Sequence, residues 1–330
     1  MTTVALVGCG GMGITHLNAY MTMTDLVKVS AIVDGNVERA KQFAEIFGAN
    51  IYSSMEQLLE NEKPDVIDIC LPTYLHAKYG IMSLNHGCHT MIEKPVCLSE
   101  KEAVDLLEAK KKSGKFVQVG QVLRFEKCYT SLIDAIRSGT YGKVKSAFFR
   151  RLTGYPWWSK DLTDYTKCGS VAMDLHIHDA DFIQYVFGDP NDLVSHAVRD
   201  KNGVVQHITT IYDYGNYSVT AEAGWDYPDT FEFTAEYYVN FENALFEYKN
   251  DRLKIYQSDR TFEINVSEKQ FGKLNANINF SDILPFVSEI RYFIDSVEGR
   301  EDGSRASLES AVASFRLVQE ELRRAGGVKI

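Results

Sequence analysis

Gly8, Gly10 and Gly13 stand as G-x-G-x-x-G within VALVGCGGMG, a spacing whose chemistry is the holding of a pyrophosphate. The first glycine permits a tight turn, the second lets backbone approach phosphate, and the third lets a helix pack closely on a strand. The N–H groups of that helix's first turn, at Gly11, Met12 and Gly13, add donors and positive partial charge. Asp34 follows 21 residues after Gly13, close to the roughly 20-residue spacing of a carboxylate that grips an adenosine ribose diol. A 2′-phosphate would lie against this carboxylate, and two like charges in contact cost on the order of a few kcal/mol at an effective dielectric of about 20. The expected cofactor is therefore NAD in preference to NADP.

Lys94, in Glu93-Lys94-Pro95, is a second candidate. A partly desolvated lysine beside an oxidised pyridinium has its charged form disfavoured, so it can exchange protons or stabilise an alkoxide. Taken alone, it reads as a solvated loop lysine. The third group is Asp174-Leu-His176-Ile-His178-Asp179-Ala-Asp181, in a segment with a helical pattern from Ser170 onward. At about 100° per residue, Asp174, His178 and Asp181 share one face while His176 points away. Two histidines on opposite faces do not make a His-x-His metal site, and none is expected. Asp174 would orient the His178 imidazole or hold a neighbouring hydroxyl, His178 would take the proton of a reacting hydroxyl, and His176 is expected to pack or meet another subunit.

The elements that must position these groups follow from apolar patterning. Val4–Val7, Val27–Val33, Val66–Leu71, His89–Ile92 and Phe116–Val119 are continuous apolar runs alternating with helical segments, the pattern of buried parallel strands in βαβ units. Ser54 with Gln57 and Ser99 with Glu102 have capping-box spacing. Lys94 then falls at the carboxyl edge of the sheet, where open α/β folds bind ligands. Later, Tyr217, Val219, Ala221, Ala223 and Trp225 alternate with polar residues, as do Phe231 to Phe241, which predicts a large antiparallel sheet. Its aromatic face suits a core under helices and a subunit interface equally. Helices are expected to about Ser138, over Ser170–Phe187, and near 281–297 and 307–324. The fold class is α/β: a doubly wound Rossmann domain over 1–121, then an α+β domain over 122–330 with a mainly antiparallel, open-faced sheet.

At 330 residues, 45% hydrophobic and 24% charged, the chain has enough apolar surface for two soluble cores. A net charge of −10 disfavours nucleic acid and anionic membrane as partners. Cys9, Cys70, Cys88, Cys97, Cys128 and Cys168 include no C-x-x-C pair, which predicts reduced, buried thiols. The chain starts directly on an apolar strand and has no long apolar run, so a cytoplasmic location is expected.

Gly8-Cys-Gly10-Gly-Met-Gly13, Leu71-Pro72-Thr73-Tyr-Leu-His76, Glu93-Lys94-Pro95 and Asp174-x-x-x-His178-x-x-Asp181 occur in the order found in the glucose-fructose oxidoreductase/inositol dehydrogenase (Gfo/Idh/MocA) family, which the chain resembles over nearly its whole length. The resemblance implies NAD(P)-dependent dehydrogenation of a secondary alcohol on a sugar, inositol or related polyol, with Lys94 and His178 catalytic and Asp174 fixing His178. It also implies a cis peptide before Pro95, and dimers or tetramers formed through the C-terminal sheet. Leu71, Pro72, Thr73, His76 and Glu93 match cofactor-lining positions. Thr73 and His76 also fit helix capping and loop polarity. Gln121 and Arg124 fall at the domain crossover, where cofactor or substrate contact and, for Arg124, a structural salt bridge are both open. Trp158, in Tyr155-Pro156-Trp157-Trp158-Ser159-Lys160, suits packing on a sugar face and core packing equally. Two departures set this chain apart: His176 stands where relatives usually carry glycine, and Cys168 replaces one glycine of a preceding pair. Glycoside cleavage by transient oxidation and non-catalytic dinucleotide sensing are the rival readings.

Overall fold

The computed structural model describes residues 1–266, 272–274 and 282–326. They form two compact units: Met1–Phe125 with the described part of Lys269–Val312, and the described parts of Glu126–Glu268 and Ala313–Ile330.

The first unit alternates strand and helix: β1 (Thr2–Val7), α1 (Gly11–Tyr20), β2 (Val27–Val33), α2 (Val37–Phe47), β3 (Asn50–Tyr52), α3 (Met55–Asn61), β4 (Val66–Ile69), α4 (His76–Asn85), β5 (His89–Ile92), α5 (Glu100–Ser113) and β6 (Val117–Val119). The strands order as β3-β2-β1-β4-β5-β6 and every pairing is parallel. The order reverses at β1, the switch point where such sheets open a crevice at their carboxyl ends. β3 escapes the apolar pattern because it is three residues long and only partly buried. Ser99 forms a complete capping box with Glu102. Ser54 caps α3 by accepting the Gln57 N–H, but the Gln57 side chain turns to Ser53, so only half of that box forms.

The second unit contains α6 (Lys127–Ser138), β7 (Val144–Gly154), α7 (Tyr165–Cys168), a π turn (Ala172–His176), α8 (Ile177–Phe187), β8 (Asp192–Arg199), β9 (Val205–Asp213), β10 (Ser218–Tyr227), β11 (Thr234–Phe241), β12 (Leu245–Lys249), β13 (Arg252–Tyr256) and β14 (Thr261–Ile264). Its eight strands order as β14-β13-β12-β11-β7-β10-β9-β8. All pairs are antiparallel except β7 with β10. Register and period-2 alternation sort the side chains into two faces. Leu193, Tyr212, Val219, Ala147, Val239, Phe246 and Ile255 form one cross-strand row, buried throughout. The row one residue along, from Val194 through Ile211 and Thr220 to Phe148 and Tyr238, is exposed or half-buried.

Two helices complete the described chain, α9 (Leu284–Val297) and α10 (Leu308–Arg324). Residue 281, where the sequence pattern begins the first of them, lies outside the described residues. The division at 121 and the packing of the chain differ here. On α9, Ile290, Phe293 and Ile294 join the same core as Leu17 and Tyr20 of α1, so this stretch belongs to the first unit. An apolar stripe announces burial without saying which core it enters. All six cysteines are free and buried, and burial followed by the Asp34 charge pushes the Cys9 thiol up to about 12.

Candidate active site

The glycine loop of the first unit has the form a pyrophosphate requires. Gly8 has φ +100°, and a Cβ there would meet the Cys70 carbonyl oxygen at 2.6 Å. A Cβ on Gly13 would lie 1.9 Å from the Gly8 oxygen, whereas one on Gly10 would meet nothing within 4 Å. Gly8 and Gly13 permit the close packing of β1, α1 and the end of β4. Gly10 instead borders open space at the N-terminus of α1, which carries no side-chain cap. The first-turn N–H groups of Gly11, Met12 and Gly13 have no acceptor within the helix.

Asp34 completes this cradle. Its Oδ2 accepts the Cys9 N–H at 2.8 Å, and its Oδ1 accepts the Asn36 N–H at 2.8 Å and Arg39 Nη2 at 2.9 Å. A carboxylate has about four acceptor sites; three are used, so capacity remains for a ribose hydroxyl. Sequence reading missed Arg39, a cation five residues after the acid and on the next helix. The loop, the uncapped helix and the anchored acid together fit a dinucleotide.

Around β4 and β5, two of the expected cofactor-lining side chains, His76 and Glu93, turn inward. His76 is 1% exposed, with Nδ1 2.8 Å from the Pro95 oxygen and Nε2 2.6 Å from the Leu71 oxygen. Burial pulls its pKa below the ordinary histidine value, and a neutral ring donates to one carbonyl at a time. His76 thus ties together the loop carrying Leu71 and Pro72 and the loop carrying Lys94. Thr73 begins the short 3-10 turn after Pro72. Glu93 is buried, its carboxylate shared between His16 Nε2 and the Lys94 N–H; Lys94 itself is half-buried. The Lys94–Pro95 peptide is cis. Gln121 is buried. Arg124 is 1% exposed, and its Nη1 donates to the Arg305 oxygen at 2.7 Å and Ser310 Oγ at 3.0 Å. These contacts give Arg124 a packing role.

His16 and Asp68 are further residues that sequence reading missed. The signal was present, since Asp68 interrupts the apolar strand VIDI and His16 the apolar helix GMGITHLNAY. Among the described residues, His16, Asp68 and Cys70 bring three ligand-type atoms within 4.8 Å of one another. Their contacts of 2.8, 3.3 and 3.6 Å are hydrogen bonds, and burial followed by the Asp68 charge pushes the Cys70 thiol upward, away from thiolate.

In the second unit, Asp174 and His178 come from the π turn and the first turn of α8. The wider turn changes the expected helical faces. Ile177 N–H bonds back to the Ala172 oxygen, five residues earlier, an irregularity frequent at functional sites. Three neighbouring side chains anchor the segment. His176 Nε2 lies 2.5 Å from Glu321 Oε2, and that carboxylate also accepts Tyr212 and Thr210 hydroxyls. Arg151 grips Asp179 through two nitrogens, each at 3.2 Å. Ser314 Oγ donates to Asp181 at 2.6 Å. Asp181 is 1% exposed, whereas Asp174 and His178 are half-buried. His176 is a buried packing residue. Trp158 is 72% exposed, which removes the core alternative for it.

A doubly wound sheet with a dinucleotide cradle, joined to an α+β unit that presents a half-buried Asp and His, defines an NAD-binding oxidoreductase architecture. The chain belongs to the GFO/IDH/MocA family: residues 2–121 match its model described as oxidoreductase family, NAD-binding Rossmann fold, and residues 129–263 match its C-terminal domain. Among curated relatives, D-glucoside 3-dehydrogenase of Escherichia coli K12 is 29% identical over 240 residues, 71% of this chain and 66% of that protein. The NAD(+)-dependent scyllo-inositol 2-dehydrogenase of Bacillus subtilis 168 is 29% identical over 187 residues, 56% and 53% of the two chains. These matched stretches thus span less than two thirds of the relatives' own length. The fold matches that of levoglucosan dehydrogenase in complex with NADH and levoglucosan, with a TM-score of 0.81 at 18% identity, covering 98% of this chain and 97% of that one.

Proposed function

We propose that the protein reversibly oxidises a secondary alcohol of a sugar, inositol or related polyol, with NAD as hydride acceptor. The observation that carries this reading is the half-buried placement of Asp174 and His178 on one segment, which the buried side chains of His176, Asp179 and Asp181 fix to the second unit. In it His178 accepts the hydroxyl proton, Asp174 holds the imidazole or an adjacent hydroxyl, and Lys94 stabilises the developing alkoxide. Bound NAD supplies a redox centre that no side chain can. Gly8 to Gly13 with Asp34 hold its pyrophosphate and ribose, Leu71, Pro72 and Thr73 border its nicotinamide half, and Trp158 offers an aromatic face to the substrate. Dinucleotide binding falls to the first unit, and substrate binding and oligomerisation to the second. Six buried thiols suit a reducing, cytoplasmic compartment. Among the described residues no helix is long and apolar enough to cross a membrane.

The test is a screen of inositols, hexoses, aminosugars and aryl glycosides with NAD and NADP separately, following reduced cofactor and released aglycone. Accumulating NADH supports the dehydrogenase, and aglycone release without net NADH selects glycoside cleavage. Dinucleotide binding with neither product selects a sensor, and preference for NADP overturns the role given to Asp34.

A further inference from the structure

Beneath the turn that carries Lys94 lies a buried charge network that the proposed chemistry does not use. His16, in the middle of α1, has Nδ1 2.8 Å from Asp68 Oδ2 and Nε2 3.0 Å from Glu93 Oε1. The three side chains are 0%, 0% and 7% exposed. A carboxylate only accepts, so both ring nitrogens donate and the imidazole is a cation. Burial opposes that charge, but Asp68 and then Cys70 outweigh it and hold the His16 pKa well above the ordinary value.

The surroundings of the network are equally closed. The Tyr20 hydroxyl donates to Asp68 Oδ2 at 2.8 Å, Cys70 Sγ lies 3.3 Å from His16 Nδ1, and the Phe286 ring lies 6.3 Å from the imidazole. A Cβ on Gly120 would stand 3.0 Å from Glu93 Oε1, so the carboxylate presses on a backbone without a side chain. Glu289 of α9 is 0% exposed, with neither carboxyl oxygen hydrogen-bonded. Burial, then the Glu93 charge, raises its pKa, with His16 and then Arg124 opposing. The remaining oxygen of Glu93, Oε2, accepts the backbone N–H of Lys94 at 3.1 Å.

We propose that His16 is a positioning residue for Lys94: a buried cation between Asp68 and Glu93, it fixes the carboxylate that holds the Lys94 backbone, and so sets where the lysine side chain begins. The catalytic consequence rests on the role given to Lys94 above; the positional claim does not. It also gives Glu93 a structural function, the anchoring of the Lys94 backbone.

His16→Gln removes the cation at similar size. Reductive methylation of the cofactor-free protein, mapped by peptide mass spectrometry, is expected to change severalfold at Lys94 while the exposed Lys101 is unaffected. With substrate, kcat should fall roughly 10- to 100-fold, the scale of a misplaced reacting group, with KM and NAD affinity by calorimetry unchanged. Glu93→Gln should reproduce both effects, and the double variant should be no worse than Glu93→Gln alone, because the two residues act in series. Unaltered Lys94 labelling in folded His16→Gln, or additive losses in the double variant, would overturn the proposal. Should His16→Gln fail to fold, Asp68→Asn withdraws the partner that holds the ring cationic; the same change at Lys94 then supports the proposal, and no change overturns it. If the wild-type protein oxidises no alcohol, the functional reading fails while the labelling still decides the role of His16.

Discussion

Glu93 and Lys94 are sequence neighbours with different environments: the carboxylate is buried against His16 and the lysine is half-buried at the sheet edge. Lys94→Ala should therefore leave the fold and NAD binding intact while lowering kcat by about 10²-fold or more, the range for loss of a proton-transfer group; unchanged turnover would remove Lys94 from the chemistry. Glu289 makes a separate prediction at the same scale. Its folded pKa lies above the unfolded value, so its favourable contribution is complete at low pH and is lost as pH rises above the ordinary carboxyl range toward the folded pKa. Glu289→Met should thus raise the neutral-pH stability by roughly 1–2 kcal/mol, because it removes a buried polar group without partners. That gain should shrink at about pH 4, as chemical denaturation at the two pH values would show. Neither the Glu93 nor the Glu289 environment was legible in the sequence. Glu289 sits in a helix with an ordinary amphipathic pattern, and only the fold brings it beside Glu93, almost two hundred positions earlier.

Among the elements, the segment entering α8 carries local strain. Gly169 and Ser170 both have positive φ, 79° and 73°, directly before the π turn that bears Asp174. A serine in that region costs roughly 1 kcal/mol relative to glycine. Ser170→Gly should raise stability by up to about that amount in thermal melts with the fold unchanged; a loss of stability would mean that the serine makes a compensating contact. Sequence spacing placed Asp174, His178 and Asp181 on one face because it assumed 3.6 residues per turn. The π turn breaks that count between Asp174 and His178, while Asp181, one turn on from His178, is buried against Ser314. The glycine loop was read more fully, since Gly8 and Gly13 answer to local steric demands that a motif records directly.

For the whole molecule, the outer row of the eight-stranded sheet is the surface we propose for self-association. Val194 and Ile211 lie directly opposite each other and are 70% and 46% exposed. Ile211→Asp should reduce a dimer or tetramer toward monomer in light scattering without loss of the folded signal. A wild-type mass equal to one chain would end this assignment. The inner row settles part of the earlier ambiguity about the aromatic strands: Tyr212, Tyr237 and Phe246 are core.

The sequence alone determined the Rossmann order of elements, the dinucleotide loop and the alternating faces of the second sheet, because each is written in near neighbours through turn sterics, helical spacing or a period of two. Tertiary structure decided which polar groups are buried together: His16 between Asp68 and Glu93, and His176 on Glu321. It also decided that α9 closes the first core. Such pairings depend on which distant surfaces meet, and the cost of burying a charge selects its partner only after the fold has brought the candidates together.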